Sequence, residues 1–260
     1  MSGEDRSPGH VRIGTLMTAL LWVAWATLLG WSLVDPGSGF AMLLRVCSSS
    51  ALVLAACRFA ATSGRSGTAD VSMWIAAGMT LGFLGDAWAL VPEEQLPVHR
   101  LIPAMVLFGL GHAAYITGFV RASRSRPIPP WQAAWLWALW LAVAAVAWYA
   151  SIHLSQAPPL LLWSALAYTA ILGGTTAAGW VLAAGQRDYV PVALGCVLFL
   201  ISDFVLAIQS FRGSFPHATE LCWATYGPGQ MLIVYGMAWG EGLVRSTETP
   251  NEQLQSPRSR

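Results

Sequence analysis

The chain has 260 residues, with 14 basic and 13 acidic side chains, so charge accounts for 10% and hydrophobic residues for 55%. A soluble domain carries about 25% charged residues. With a mean hydropathy of +0.54 the chain lacks the polar surface to face water, and a membrane protein is the expected class. A net charge of +1 gives no electrostatic reason to expect a nucleic-acid partner, and no polar stretch is long enough for a separate soluble domain.

At about 20 apolar residues per span, this length predicts an all-α bundle of eight transmembrane helices. Residues 1–13 are polar and read as a cytoplasmic tail. The apolar run from Gly14 to Val34 is too long for a signal-peptide core and reads as a retained first helix. Further spans are predicted at about 40–60, 71–91, 101–120, 131–151, 158–183, 190–211 and 221–243. Turn and breaker residues bound them: Asp35-Pro36-Gly37, the Ser63-to-Gly67 loop, and the prolines at 127, 129 and 130. Pro158-Pro159 and Pro191 stand where first-turn prolines belong. The transmembrane unit therefore covers 14–243, and the polar segment 244–260 reads as a disordered cytoplasmic tail.

Every basic residue is Arg, a composition typical of GC-rich bacterial genomes, and the arginines orient the bundle. With the N-terminus inside, Arg6, Arg12, Arg58, Arg65, Arg121, Arg124, Arg126, Arg187, Arg245, Arg258 and Arg260 fall on the inner side. Only Arg100 and Arg212 fall outside, and Arg45 lies within a span. This predicts a multi-pass cell-membrane protein with both termini cytoplasmic. Trp31, Trp131, Trp223 and Trp239 lie near span ends, as an interfacial belt requires. The halves also echo each other. Phe108-Gly109-Leu110-Gly111-His112 resembles Tyr226-Gly227-Pro228-Gly229-Gln230, and Asp86 pairs with Asp203 at nearly the same offset. That pattern fits two parallel four-helix repeats.

Ionisable groups inside a membrane are costly and mark function. Asp86, Asp203 and Arg45 lie inside predicted spans, joined by His112, Tyr115, Tyr226 and Gln230. Glu241 sits near an inner end and can reach water. At 1.5 Å per residue, Asp86, Arg45 and Tyr226 lie roughly 8 Å from the outer span ends, Asp203 and Gln230 roughly 12–14 Å, and His112 roughly 16 Å. Polar groups at overlapping depths are either interhelical glue or the lining of a cavity. For two aspartates the cavity is the expectation, lined by Asp86, His112, Asp203, Tyr226 and Gln230. Cys47, Cys57, Cys196 and Cys222 have no metal-type spacing and read as packing residues. Neither a metal nor another cofactor is expected.

Three strings then resemble a known family. Leu84-Gly85-Asp86 with Leu90-Val91-Pro92, followed by Phe108 to His112 and Tyr115, is similar to the first signature of the YhhN family. Leu198 to Asp203, running to Phe211, is similar to the second, and Tyr226 to Gln230 with Leu232-Ile233 to the last. One departure is visible. The family usually has Lys-Pro in the second span where this chain has Arg45-Val46, and Arg presents a planar fork rather than a point charge. The resemblance implies a lysoplasmalogenase, a hydrolase that cleaves the sn-1 vinyl ether of a lysophospholipid to a fatty aldehyde and a glycerophospho-base. The residues suit that reaction. Protonation of the vinyl ether makes an oxocarbenium ion, which a second carboxyl can stabilise, as in glycosidases. In this reading Asp86 and Asp203 are the catalytic pair. His112, Tyr115, Tyr226 and Gln230 support them, and Arg45 meets the phosphate or pairs with an aspartate. A proton- or ion-coupled transporter and a non-catalytic membrane sensor are the readings from other classes.

Overall fold

The computed structural model describes residues 8–36, 38–63, 69–88, 90–91 and 101–242. Eight α-helices follow in order: α1 (Pro8–Val34), α2 (Ala41–Ser63), α3 (Ala69–Trp88), α4 (Leu101–Ser123), α5 (Pro130–Trp148), α6 (Pro159–Gly185), α7 (Val190–Arg212) and α8 (Ala218–Gly240). A π-helical turn, Tyr149–His153, continues α5, and a 3-10 turn, Arg187–Tyr189, leads into α7. No strand occurs among the described residues. Prolines open α5, α6 and α7, where the missing N–H costs nothing.

The first helix starts at Pro8, before the apolar run begins, so part of the expected tail is helical. The segment after Val244 lies outside the described residues, as do Arg6, Arg65 and Arg100.

Among the described residues six helices are long and apolar enough to cross a membrane, rather than the eight expected. The two that fall short, α3 and α8, have 20 and 23 residues and fail in hydropathy, not length. Their neighbours explain how this is tolerated. Helix α3 packs against α2, α4 and α8, and α8 packs against α7, α2, α3 and α1. Protein rather than lipid surrounds their polar faces. Helices α1 and α5 are peripheral. Of α5, only Ala144 and Trp148 are buried, while Trp131 and Trp135 are about 70% exposed. Apolar residues on this scale at a surface fit a lipid-facing wall.

The remaining six helices close a ring in the order α2, α3, α4, α6, α7, α8 and back to α2. Most adjacencies in one half recur in the other: α1 with α2 as α5 with α6, α2 with α3 as α6 with α7, α3 with α4 as α7 with α8, and α2 with α8 as α6 with α4. Glycines set two of these crossings. A Cβ on Gly111 would stand 2.9 Å from the carbonyl oxygen of Gly78, and one on Gly195 would stand 2.7 Å from that of Gly229. Gly78 and Gly195 are 117 positions apart, and Gly111 and Gly229 are 118 apart. Only glycine lets backbones touch this closely.

Candidate active site

The polar residues gather inside the ring, toward the end at which α2, α4, α6 and α8 begin. In the orientation expected from the arginines this end faces outward, and it is called the outer end below. Asp86 stands two residues before the last residue of α3 and is 5% exposed. Its Oδ2 accepts hydrogen bonds from the Ser49 hydroxyl (2.5 Å) and the Tyr226 hydroxyl (2.8 Å). Ser49 and Tyr226 each lie eight residues into their helices, about 12 Å from the outer ends. Helix α3 therefore stops well below its neighbours. Asp86 is near a helix end yet deep in the protein, which corrects the depth read from a span running to residue 91.

A chain of hydrogen bonds continues from Tyr226. The Gln230 side-chain N–H donates to the Tyr226 hydroxyl at 3.3 Å, one helical turn away. The Tyr115 hydroxyl donates to Gln230 Oε1 at 2.8 Å and lies 3.6 Å from the Met79 sulfur. Ser49, Asp86, Tyr226, Gln230 and Tyr115 thus form one buried network across α2, α3, α8 and α4. A network of this kind is rigid when each member is satisfied.

Asp203 has a different setting. It lies on α7, nine residues from the outer end, and accepts hydrogen bonds from the Tyr168 hydroxyl of α6 and, at 3.3 Å, from Ser202. It is partly exposed, because it faces a groove between α4, the end of α5, α6 and α7. The wall is almost wholly apolar, with Met105, Trp148, Ile152, Leu172, Leu200 and Ala207 among its residues. Two tertiary bonds hold its sides: the Trp148 indole N–H donates to the Leu162 carbonyl, and Arg212 Nε donates to that of Ser151. Phe199, one turn before Asp203 on α7, packs edge-on to Tyr226 at 5.1 Å and so joins the groove wall to the network that holds Asp86.

His112 stands between the two sets. Its ring packs edge-on to Phe199 at 4.4 Å, with Tyr115 at 6.0 Å on one side and Tyr168 at 6.2 Å on the other. It is 2% exposed, and neither ring nitrogen has a hydrogen-bond partner among the described residues. A buried group in this condition calls for an explanation.

The expectation that five residues line one cavity is therefore met only in part. Asp203 lines the groove, while Asp86, His112, Tyr226 and Gln230 pack behind it. Arg45 is elsewhere. It is 4% exposed between α1, α2 and α8, donates to the Ser32 carbonyl at 3.3 Å, and lies 5.7 Å over the Trp223 ring. It makes no ion pair with Asp86 or Asp203, which removes that alternative. Sequence reading did not single out Ser49 or Tyr168, the hydroxyl partners of the aspartates. Their only signal was a position at aspartate depth on the preceding helix, which many apolar-span hydroxyls share.

The family model described as the YhhN family matches residues 40–237. The chain belongs to the YhhN family. The match covers α2 to α8 almost entirely, and so takes in both aspartates and every residue of the buried network. No curated protein and no solved structure matches the chain.

Proposed function

We propose that this YhhN-family protein is an integral membrane hydrolase that cleaves the vinyl ether of lysoplasmalogens. Its acid–base pair is Asp203 and Asp86. The observation that carries this reading is the placement of Asp203, a carboxyl facing an apolar groove, with the hydrogen-bonded network of Asp86 packed behind it through Phe199 and Tyr226. An apolar site disfavours the charged form of a carboxyl and so suits it to donate a proton. Asp203 is the group that can meet the lipid. Its proton goes to the β-carbon of the vinyl ether, and the resulting oxocarbenium ion is stabilised by the negative charge of the pair. Water adds to that cation, and the hemiacetal formed collapses to an aldehyde and the glycerol hydroxyl.

Ser49 and Tyr226 fix Asp86, Tyr168 fixes Asp203, and Gln230 and Tyr115 brace Tyr226. His112, with a free donor and acceptor among the described residues, is suited to hold the attacking water between Tyr115 and Tyr168. Arg45 supports the outer end, where it ties α1, α2 and α8. The recurrence of the helix adjacencies and glycine crossings supports reading the halves as two repeats. The arginine distribution supports a groove in the outer leaflet with both termini inside.

The test offers purified protein a vinyl-ether lysolipid and its saturated alkyl analogue and measures aldehyde. Release from the first alone is expected. Asp203→Asn and Asp86→Asn are each expected to lower the rate by about 10²–10⁴ while the protein stays monodisperse. Aldehyde formation at the full rate in Asp203→Asn would retire the mechanism.

A further inference from the structure

The groove wall carries polar side chains at two levels: Ser151 and Ser210 toward the mouth, and Tyr168, Thr169 and Asp203 deeper. Thr169 stands ten residues into α6, about 15 Å from the outer end, and Asp203 nine residues from the outer end of α7, about 13 Å. The bond from the Tyr168 hydroxyl to Asp203 keys the two helices together at this depth. Side chains tilt toward the start of their own helix. Helix α6 starts at the outer end and α7 at the inner one, so Thr169 leans outward, Asp203 leans inward, and the two meet the groove at one level. The hydroxyls of Thr62, Thr80, Thr117, Thr175, Thr176 and Thr225 each donate to a carbonyl four residues back in their own helix, a common way to satisfy a helical threonine. Thr169 makes no such bond. It is 8% exposed, lines the groove and has no hydrogen-bond partner among the described residues.

A hydroxyl left unpaired in an apolar wall is unfavourable and calls for a partner from within the groove. Water alone is a poor match. A held water needs two to four polar partners, while the residues one turn either side of Thr169 on its own face are Ala165 and Leu172, with Leu200 also in the wall. A hydroxyl carried on a ligand is placed by the rest of that ligand and needs only one partner. We propose that Thr169 is a positioning residue that hydrogen-bonds the hydroxyl vicinal to the scissile ether, the free sn-2 hydroxyl of the glycerol, and so sets the vinyl ether against Asp203. The identity of the lipid rests on the hydrolase reading; the role of Thr169 is additional to it. The carbon bearing that hydroxyl adjoins the carbon bearing the ether oxygen, so fixing one fixes the other within a few bonds, which is how a remote contact orients a reacting group. The same contact favours a free hydroxyl over a hydrogen or a capped oxygen, since either leaves the Thr169 hydroxyl without that donor.

Binding is tested without turnover, so that the hydroxyl site and the hydrolase reading can fail separately. The probes are a non-hydrolysable alkyl-ether lysophosphatidylcholine and its 2-deoxy and 2-O-methyl analogues, used on the full chain in nanodiscs. Wild type is expected to bind the hydroxyl probe about three- to tenfold more tightly than either analogue, the worth of one neutral hydrogen bond. Thr169→Val, which keeps the shape and loses the hydroxyl, is expected to erase that preference by weakening the hydroxyl probe alone. Thr169→Ser is expected to keep most of it, and Thr169→Ala replaces Thr169→Val if the latter does not fold. Ligand-free Thr169→Val should melt no lower than wild type, because the hydroxyl has no partner to lose, whereas Thr176→Val, which loses bonds to the Leu172 and Cys196 carbonyls, should melt lower. With vinyl-ether substrates, kcat/KM in Thr169→Val should fall for the 2-hydroxy compound and hold for its 2-deoxy analogue. A hydroxyl preference that survives in Thr169→Val, or equal weakening of all three probes, overturns the proposal. An equal fall in kcat on 2-hydroxy and 2-deoxy substrates also overturns it and assigns Thr169 to the attacking water. The expected binding pattern without aldehyde release in wild type retires the hydrolase reading and leaves the hydroxyl site standing.

Discussion

Ser49 and Tyr226 donate to the same oxygen of Asp86, yet removing their hydroxyls is expected to have unequal costs. Ser49→Ala deletes one donor to a carboxyl that keeps the other, a loss of about 1.5–3 kcal/mol if the carboxyl is charged. The hydroxyl has no second role, since its one bond is the 2.5 Å contact to Asp86. Tyr226→Phe deletes the other donor and also the acceptor for the Gln230 side-chain N–H, which lies at 3.3 Å in a residue 1% exposed. Leaving that buried donor unsatisfied adds about 1–3 kcal/mol. The phenyl ring keeps the edge-on contacts to Phe199 and Trp223, both at 5.1 Å, so packing contributes little. Thermal denaturation in one fixed detergent is therefore expected to rank wild type above Ser49→Ala, and Ser49→Ala clearly above Tyr226→Phe. Both variants loosen Asp86, so their rates should fall by comparable amounts, about tenfold for each 1.4 kcal/mol that the lost bond supplies in the transition state. Equal melting of the two variants would refute the Tyr226–Gln230 link. A rate loss in one variant alone would refute the shared role of the hydroxyls in holding Asp86.

Gly195→Ala places a Cβ 2.7 Å from the Gly229 carbonyl oxygen, a backbone atom that cannot swing aside, and is expected to cost about 1–3 kcal/mol. Gly30→Ala meets nothing within 4 Å and is expected to leave the melting temperature unchanged or raise it. Arg45→Gln is expected to lower thermal stability, because it loosens the tie to Ser32 and Trp223, while steady-state kinetics keep both kcat and KM near wild type. Glu241, just beyond α8, accepts a bond from the Tyr189 hydroxyl at 2.8 Å, but burial holds its carboxyl above the ordinary value of 4.5. The folded state then binds this proton more tightly than the unfolded one, so the group's contribution falls as pH rises above about 4.5. Glu241→Gln is expected to raise the melting temperature at pH 7 and to leave it unchanged at pH 4.

Hydropathy locates the eight helices because a bilayer requires long apolar runs with internally satisfied backbones. It misjudges α3 at its outer end, where Leu90 and Val91 are apolar but lie outside the helix, and α3 stops at Trp88. Local hydropathy does not record that a helix stops below its neighbours. Hence a depth of roughly 8 Å, counted from the span limit, falls short of the roughly 12 Å level at which Ser49 and Tyr226 meet Asp86. The aspartates, Tyr226, Gln230 and His112 were legible because polar side chains in apolar spans are few. Their division into a sealed network and an open groove was not, since it depends on which helix faces which. Ser49 illustrates the limit. It is the middle of a Ser48-Ser49-Ser50 run in which Ser48 and Ser50 bond back to their own helix, and only Ser49 faces Asp86.

Under the proposed two-repeat reading, the difference between the halves is informative. Asp86 and Asp203 occupy matching places, each receiving a hydroxyl bond from the preceding helix, Ser49 on α2 and Tyr168 on α6. Around Asp203 the outer part of α6 leaves a groove beside α5 and α7. The corresponding region beside α1, α2 and α8 holds Arg45, Trp223 and the Ser32 carbonyl, packed together. Tyr226 also closes over Asp86, whereas Phe108, which takes its place in the proposed repeat, has no hydroxyl to give Asp203. One carboxyl is therefore enclosed and doubly held, and the other faces the groove. A pair of this kind needs the asymmetry: a group that exchanges a proton with a lipid must be reachable, and a group that stabilises a cation works best when it is fixed beforehand. Phe108→Tyr tests the point directly. If the new hydroxyl closes over Asp203 as Tyr226 does over Asp86, the rate on vinyl-ether lysolipid should fall while folding is kept. Full activity in a Phe108→Tyr protein whose added hydroxyl is shown to bond Asp203 would establish that access to Asp203 is not what the open side provides.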